Sequence, residues 1–136
     1  MKIESCTICD AYTCLATDTV AEAAQKLKEK KVRHLYVVDE NQKFLGMFSG
    51  IDLVYNIIAE NKECTKMKVE EVMKKDVTTF SKQDDFTKAF GFMGKFNLFT
   101  VPVVEEGKLV GILTYKDVVQ KVMELKKQRN GNWNFT

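Results

Sequence analysis

Two hydroxyl–carboxylate pairs are the residues best placed for chemistry in this sequence. Ser49 stands three residues before Asp52 in Gly46-Met47-Phe48-Ser49-Gly50-Ile51-Asp52, and Thr114 three before Asp117 in Gly111-Ile112-Leu113-Thr114-Tyr115-Lys116-Asp117. Each pair ends an apolar run and precedes a helix-like segment. The simplest reading is a strand that stops at a helix N-terminus. Ser49 or Thr114 is then the N-cap, and Asp52 or Asp117 the acid of the first turn. Whether the same atoms also hold a ligand stays open at this point. Cys6, Cys9 and Cys14 cluster, with Cys64 apart. Cys6-x-x-Cys9 has zinc or redox spacing, but no second such pair answers it, and zinc wants four ligands. Reduced thiols and no metal are expected, with Cys6, Cys9 and Cys14 as the alternative ligand set. There is no nucleophile–base pair, no glycine-rich phosphate loop, no HExxH and no pair of acids at catalytic spacing. The expectation is therefore that the chain is not an enzyme.

The elements that position these residues follow from hydrophobic periodicity. Thr19-Val20-Ala21-Glu22 is a capping box that opens a helix carrying Val20, Ala23, Ala24 and Leu27. A buried strand is expected in Val32 to Asp39, a turn at Asp39 to Gln42, and an antiparallel strand from Lys43 to Phe48. Ile51, Leu53, Val54, Ile57 and Ile58 mark the next helix. Lys68 to Met73 reads as a short helical turn and Asp76 to Phe80 as a strand. Asp85 caps a helix with Phe86, Ala89, Phe90 and Met93, in which Gly91 and Gly94 cost about 1 kcal/mol each. Strands from Leu98 to Val104 and from Lys108 to Leu113 follow. Val118, Val119, Val122, Met123 and Leu125 mark the last helix. Pro102, the only proline, falls in a strand-like run, so its strand is an edge or its N–H is not needed.

The halves superpose as sequence. Asp10 matches Asp76, Ala23 matches Ala89 and Val37 matches Val103 at an offset of 66, which drops to 65 after the hairpin turn, with Gly46 on Gly111. A one-residue difference at a hairpin tip, inside otherwise constant register, marks a duplication. The expected fold is α/β (α+β), two β-α-β-β-α repeats related by a pseudo-twofold axis. Boundaries are 1–62 for the first repeat, 63–68 for a linker, 69–127 for the second repeat and 128–136 for a C-terminal tail.

A chain of 136 residues can bury a core, and 45% hydrophobic with 29% charged residues is an ordinary globular composition. No apolar run reaches membrane-span length and no signal-like block opens the chain, so a cytoplasmic location is expected. A net charge of +2 argues against nucleic acid or an anionic membrane as partner. The tail Lys126-Lys127-Gln128-Arg129 with Trp133 and Phe135 is the one basic-aromatic stretch, and it is short.

The two halves resemble a tandem pair of CBS domains, the Bateman module. The resemblance rests on Val20-Ala21-Glu22-Ala23, Val32 to Asp39 and Gly46 to Leu53, then on Ala89, Leu98 to Glu105 and Leu109 to Val118. Tyr36 departs from it, standing where such proteins usually have the proline that Pro102 keeps. With no catalytic domain attached, a free-standing module is expected. Proteins similar to this one bind adenosine-containing ligands (AMP, ADP, ATP or S-adenosylmethionine) in two clefts between the repeats. The resemblance makes Asp52 and Asp117 the acceptors for ribose hydroxyls, as a carboxylate with two acceptor oxygens can be. It makes Ser49 and Thr114 the residues at a helix N-terminus suited to phosphate oxygen.

The polar positions before the middle strand are Arg33 and His34 in the first half and Phe99 and Thr100 in the second. That inequality makes the Asp52 cleft the expected phosphate site, leaving Thr100 and Lys116 for the Asp117 cleft. By position, Met73, Thr78 and Leu98 flank the base beside Asp52, and Thr7, Tyr12 and Val32 beside Asp117. The resemblance also implies a homodimer formed through helices, with Phe90, Phe92, Met93, Phe96, Ile57, Ile58, Val122 and Met123 as exposed candidates. The expected function is a regulatory module sensing an adenosyl ligand, with no cofactor. The alternative is a dimeric interaction module that docks a regulated partner protein with its clefts empty.

Overall fold

The structure is a computed structural model and describes residues 1–130. In chain order its elements are β1 (Thr13–Leu15), α1 (Val20–Lys30), β2 (His34–Val38), β3 (Phe44–Ser49), α2 (Gly50–Leu53), α3 (Phe86–Phe96), β4 (Thr100–Glu105), β5 (Lys108–Thr114) and α4 (Tyr115–Asn130). Single 3-10 turns stand at Ile3–Ser5 and Val69–Glu71. Trp133 and Phe135 lie outside the described residues, and Lys126 to Arg129 continue α4. Among the described residues, no helix is long and apolar enough to cross a membrane.

Local chemistry sets the helix limits. Thr19 Oγ1 accepts the Glu22 N–H at 3.1 Å while Glu22 Oε1 accepts the Thr19 N–H at 3.3 Å, the capping box that starts α1. Asp85 Oδ1 accepts the Thr87 N–H at 2.9 Å and starts α3. Lys31 and Asn97, both at φ 55, end these helices in the left-handed conformation. The two hairpins differ as the one-residue offset requires. Glu106 and Gly107, both at positive φ, make the short turn between β4 and β5. In the longer loop, Asp39 Oδ1 accepts the N–H groups of Asn41 and Lys43.

The chain forms two compact units, one of Ala11–Thr78 with Val104–Val110, the other of Met1–Asp10, Thr79–Val103 and the chain from Gly111 onward. The first combines the first repeat's sheet and helices with the segment that precedes α3 and the tip of the β4–β5 hairpin, and the second combines the rest of the second repeat with the segment that precedes β1. In the first unit β1 pairs parallel with β2, and β2 pairs antiparallel with β3. Its core joins Val20, Ala23 and Leu27 of α1 to Leu35, Val37 and Phe48 of the sheet, and to Val69 and Val72 of the incoming segment. In the second unit Ile3 and Cys6 of the incoming segment pack with Phe86, Ala89, Met93, Val101 and Leu113.

Gly46 and Gly111 are what let these segments in. A Cβ on Gly46 would collide with the carbonyl oxygen of Lys74, and one on Gly111 would lie 2.6 Å from the carbonyl oxygen of Cys9. Main-chain bonds run through the same points. Met47 N donates to Lys74 O at 2.9 Å and Cys9 N to Ile112 O at 2.9 Å, each returned at 2.8 Å.

Three expectations are corrected. The strand expected at Asp76 to Phe80 is reduced to one parallel bridge, Phe80 with Val103. The cause is Pro102. Its counterpart Tyr36 donates its N–H to Tyr12 O at 3.0 Å, which helps hold β1, whereas proline has no N–H to give. Instead Phe80 N donates to Pro102 O at 3.0 Å, and the second sheet stays two-stranded. Next, the helix from Ile51 leaves α-geometry after Leu53 and continues as a π-helical turn over Val54–Ile58, with Ala59 N bonded to Val54 O. The expected stripe therefore splits. Ile57 is buried, while Ile51, Val54 and Ile58 are exposed. Finally, Met93 and Ile57 belong to the cores and not to an exposed face, and Phe90 and Phe92 are half-buried against the core. Phe92 packs on Phe80 and Phe96 at ring distances of 5.5 and 4.7 Å, the contacts that hold a helix weakened by two glycines.

The glycines divide into two classes with opposite mutational signs. A Cβ on Gly91 or Gly94 would meet nothing within 4 Å. Gly91→Ala and Gly94→Ala should each raise stability in urea unfolding by about 0.5–1 kcal/mol. Gly46→Ala and Gly111→Ala should each lose about 1–3 kcal/mol, because a backbone must shift. Equal effects at all four positions would show that the incoming segments do not lie against Gly46 and Gly111.

Candidate functional site

The strand-to-helix junction of each repeat is built the same way. Ser49 is extended, with φ −125 and ψ 165, and α2 begins at the next residue. Its Oγ accepts the Asp52 N–H at 3.3 Å and donates to Asp52 Oδ2 at 3.0 Å, while Ser49 N donates to the same oxygen at 3.0 Å. In the other unit Thr114 Oγ1 accepts the Asp117 N–H at 3.1 Å and donates to Asp117 Oδ2 at 2.8 Å. The first helical N–H is also taken in each copy. Gly50 N donates to Arg33 O at 3.1 Å and Tyr115 N to Phe99 O at 2.7 Å. Among the described residues, the N–H groups of Ile51 and Lys116 have no acceptor, and Oδ1 of each aspartate has no donor. Each junction thus offers one carboxylate oxygen and one N–H beside it.

What surrounds the junctions is unequal. His34 sits directly opposite Ser49 in the β2–β3 ladder. Its ring meets Tyr36 edge-on at 5.1 Å. Burial holds its pKa below the usual imidazole value, so near neutral pH it is a neutral hydrogen-bonding group. Arg33 is exposed beside it. Asp117 Oδ2 instead has a second donor, the Cys9 thiol at 3.3 Å. That bond, with burial second, raises the Cys9 pKa and keeps it a thiol.

The remaining expected residues divide between the units. Thr78, Val32 and Tyr12 belong to the unit that holds Asp52, and Thr7, Thr100 and Lys116 to the unit that holds Asp117. Thr7 and Asp117 line one depression of 90 Å³ together with Gln120, Lys121 and Glu124. Val32 is half-buried against the core, and Tyr12 is exposed with the Lys30 ammonium 5.6 Å from its ring centre. A larger cavity of 490 Å³ beside α1 and β1 contains none of the residues expected to bind the adenosyl ligand, and of the cysteines only Cys14 lines it. Its polar groups are committed internally, with Glu22 capping α1 and Lys26 Nζ on Thr13 O at 2.8 Å.

The three cysteines of the alternative metal set lie in different surroundings. Cys14 is buried in one core and Cys6 in the other, and among the described residues no cluster of metal-ligating side chains forms. Burial pushes the Cys14 thiol up to about 12. The residue sequence reasoning missed is Cys9, read there only through the zinc or redox spacing it shares with Cys6. Nothing local signals its contact with Asp117, which lies 108 residues away.

The family model described as CBS domain matches residues 3–59 and 69–124. The chain belongs to the CBS domain family. It is a tandem CBS pair in a mixed α+β fold. It is similar to the Vibrio cholerae protein AcuB, named for acetoin utilization, at 28% identity, with 98% of each chain covered and a TM-score of 0.78. The CBS domain pair of protein MJ0100, solved with 5′-methylthioadenosine and S-adenosyl-L-methionine, is 27% identical, with 93% and 98% covered and a TM-score of 0.70. Protein MJ1232 of Methanocaldococcus jannaschii is 33% identical over 121 residues, 88% of this chain and 39% of its own length. The chain spans 57%, 39% and 19% of the length of three curated relatives that it matches.

Thiol accessibility checks these placements. The thiolate is the nucleophile, so a raised pKa and burial both slow alkylation. In the native CBS pair at pH 8, iodoacetamide with peptide mass mapping should label half-buried Cys64 ahead of Cys14 and Cys6. Labelling of Cys14 as fast as Cys64 would contradict its place in the core. Unfolding in denaturant should equalise all four.

Proposed function

We propose that the chain is a regulatory module that binds an adenosine-containing small molecule at its two strand-to-helix junctions. Asp52 and Asp117 accept the ribose hydroxyls. Ser49, Arg33 and His34 serve the phosphate of a nucleotide at the Asp52 junction, with Thr78 flanking the base. Thr114, Thr100 and Lys116 serve the other junction, with Thr7 beside Asp117. AMP, ADP, ATP and S-adenosylmethionine are the ligands to test, and the role is binding, not catalysis. The observation that carries this reading is the spare oxygen on each aspartate. Capping uses Oδ2, while Oδ1 and the adjacent Ile51 or Lys116 N–H stay available. The MJ0100 domain pair, 27% identical and bound to two adenosyl compounds, supports the ligand class. A neutral His34 contributes an N–H and not a charge, so Arg33 carries the electrostatic part.

A second reading, self-association, is favoured by a different observation. Ile51, Val54, Tyr55 and Ile58 cluster within α2 and the π-helical turn that continues it, yet are 58%, 45%, 64% and 63% exposed. An apolar patch left open on this scale fits a second copy of the chain. Sedimentation should show a dimer that Tyr55→Asp with Ile58→Asp converts to monomer. A wild-type monomer at high concentration would end this reading.

Ligand binding is tested by unfolding with each candidate nucleotide. A ligand that binds only the folded state stabilises it by about 2.7 kcal/mol at a hundredfold excess over Kd. Each variant is compared with its own ligand-free state, since either aspartate also caps a helix. Asp52→Ala should abolish the shift with AMP, and Asp117→Ala should leave it. The reverse pattern would move the phosphate site to Asp117, and no shift with any purine compound would leave the docking alternative.

A further inference from the structure

The segments that enter each unit carry different residues at equivalent places. Lys74 exchanges both main-chain bonds with Met47, at 2.8 and 2.9 Å, and Cys9 does the same with Ile112. Both are antiparallel bridges. The two glycines confirm the match. Gly46 faces the Lys74 carbonyl and the Met73 side chain, and Gly111 faces the Cys9 carbonyl and the Ile8 side chain. Residues directly opposite in an antiparallel pair put their side chains on one face. A side-chain period of two places Ser49 on the face of Met47 and Thr114 on the face of Ile112. Cys9 shows where that face leads, since its Sγ reaches Asp117 Oδ2 at 3.3 Å. The side chain in the same place beside Asp52 is an exposed lysine.

We propose that this position sets the charge of the ligand each junction accepts. Lys74 selects a phosphorylated adenosine at Ser49 and Asp52, and Cys9 reserves the Asp117 junction for an uncharged one. The inference deepens the ligand reading above and rests on it. An ammonium on a four-carbon stem serves phosphate as a point charge with three rotatable donors. With Arg33 it outweighs the single carboxylate of Asp52. At the other junction the depression beside Asp117 is lined by two carboxylates, Asp117 and Glu124, and one ammonium, Lys121, which lies 3.8 Å from Glu124. A neutral thiol there adds no charge and ties down Oδ2, so the junction offers Oδ1 to hydroxyl donors, and its two carboxylates, balanced by Lys121 and Lys116, leave no excess positive charge to draw a phosphate.

Isothermal titration in reducing buffer tests this, with AMP and 5′-methylthioadenosine as the charged and uncharged probes. Lys74→Gln keeps the main-chain bridge and should weaken AMP binding about tenfold while leaving 5′-methylthioadenosine within about twofold. Cys9→Lys should strengthen AMP binding at the second junction, and Cys9→Ser should not. Circular dichroism confirms that each variant is folded. If wild type binds AMP and Lys74→Gln leaves its Kd within about twofold, the lysine assignment falls and the ligand reading stands. Wild type that binds 5′-methylthioadenosine but not AMP also overturns the assignment. If wild type binds neither probe, the ligand reading falls and this inference falls with it.

Discussion

A carbonyl oxygen resting where a side chain would begin fixes each half of this protein. At Gly46 and Gly111 the missing Cβ lets the backbone of a distant segment close to hydrogen-bonding distance of β3 or β5. That contact is what makes each compact unit a composite. A repeat of about sixty residues buries so little of its surface that it is marginal alone. Each one completes its core with side chains from a segment outside it, Val69 and Val72 in one unit, Ile3 and Cys6 in the other. The same approach carries Lys74 and Cys9 onto the face of the capping hydroxyls. Core closure and the placing of these two side chains are therefore one event, and a side chain at either glycine would disturb both.

A second constraint, a single N–H group, breaks the symmetry of the sheets. Tyr36 and Pro102 hold the same position in the two repeats. Tyr36 donates to Tyr12 O, and a three-stranded sheet results. Pro102 cannot donate, and the segment before Phe80 stays extended without pairing beyond one bridge. The proline still fits because its carbonyl is used, accepting from Phe80 N at 3.0 Å. A lost ladder bond costs little when the group it would have met can face solvent.

Legibility in the sequence followed range. The duplication, the capping boxes at Thr19 and Ser49, the hydroxyl cap at Thr114, and the shorter second hairpin were readable because each is encoded within a few residues. The meaning of Gly46 and Gly111 was not. Their match was visible, but the backbone that presses on them comes from Lys74 and Cys9, and only the assembled sheet brings these together. The strand expected at Asp76 to Phe80 misled because β-propensity reports the strand itself and not the missing donor on its partner. The helix after Asp52 misled for a related reason. One π-turn over Val54–Ile58 rotates every later side chain, so a stripe drawn at 3.6 residues per turn mixed core and surface. Arg33 and His34 were found from their place at a strand start. The neutrality of His34 was not, since burial is a property of the fold.

Capping leaves atoms at these junctions that a ligand could meet. A cap of this kind is worth about 1 kcal/mol, and it is made by Oδ2, the hydroxyl and the N–H of the aspartate itself. The helix is therefore held whether or not a ligand is present. What is left over, Oδ1 and one N–H of the first turn, is already oriented by the bonds that made the cap. A ligand meeting those two groups spends little on ordering them, so more of its interaction energy appears as affinity. The price of this economy is rigidity of pattern, because the hydroxyl–x–x–Asp order cannot vary without losing the helix start. Variation is free only at positions that touch the junction from outside it. That is where the two repeats differ, with Arg33, His34 and Lys74 at one junction and Phe99, Thr100 and Cys9 at the other. A duplicated scaffold can in this way keep one folding solution in both copies and still present two unlike sites.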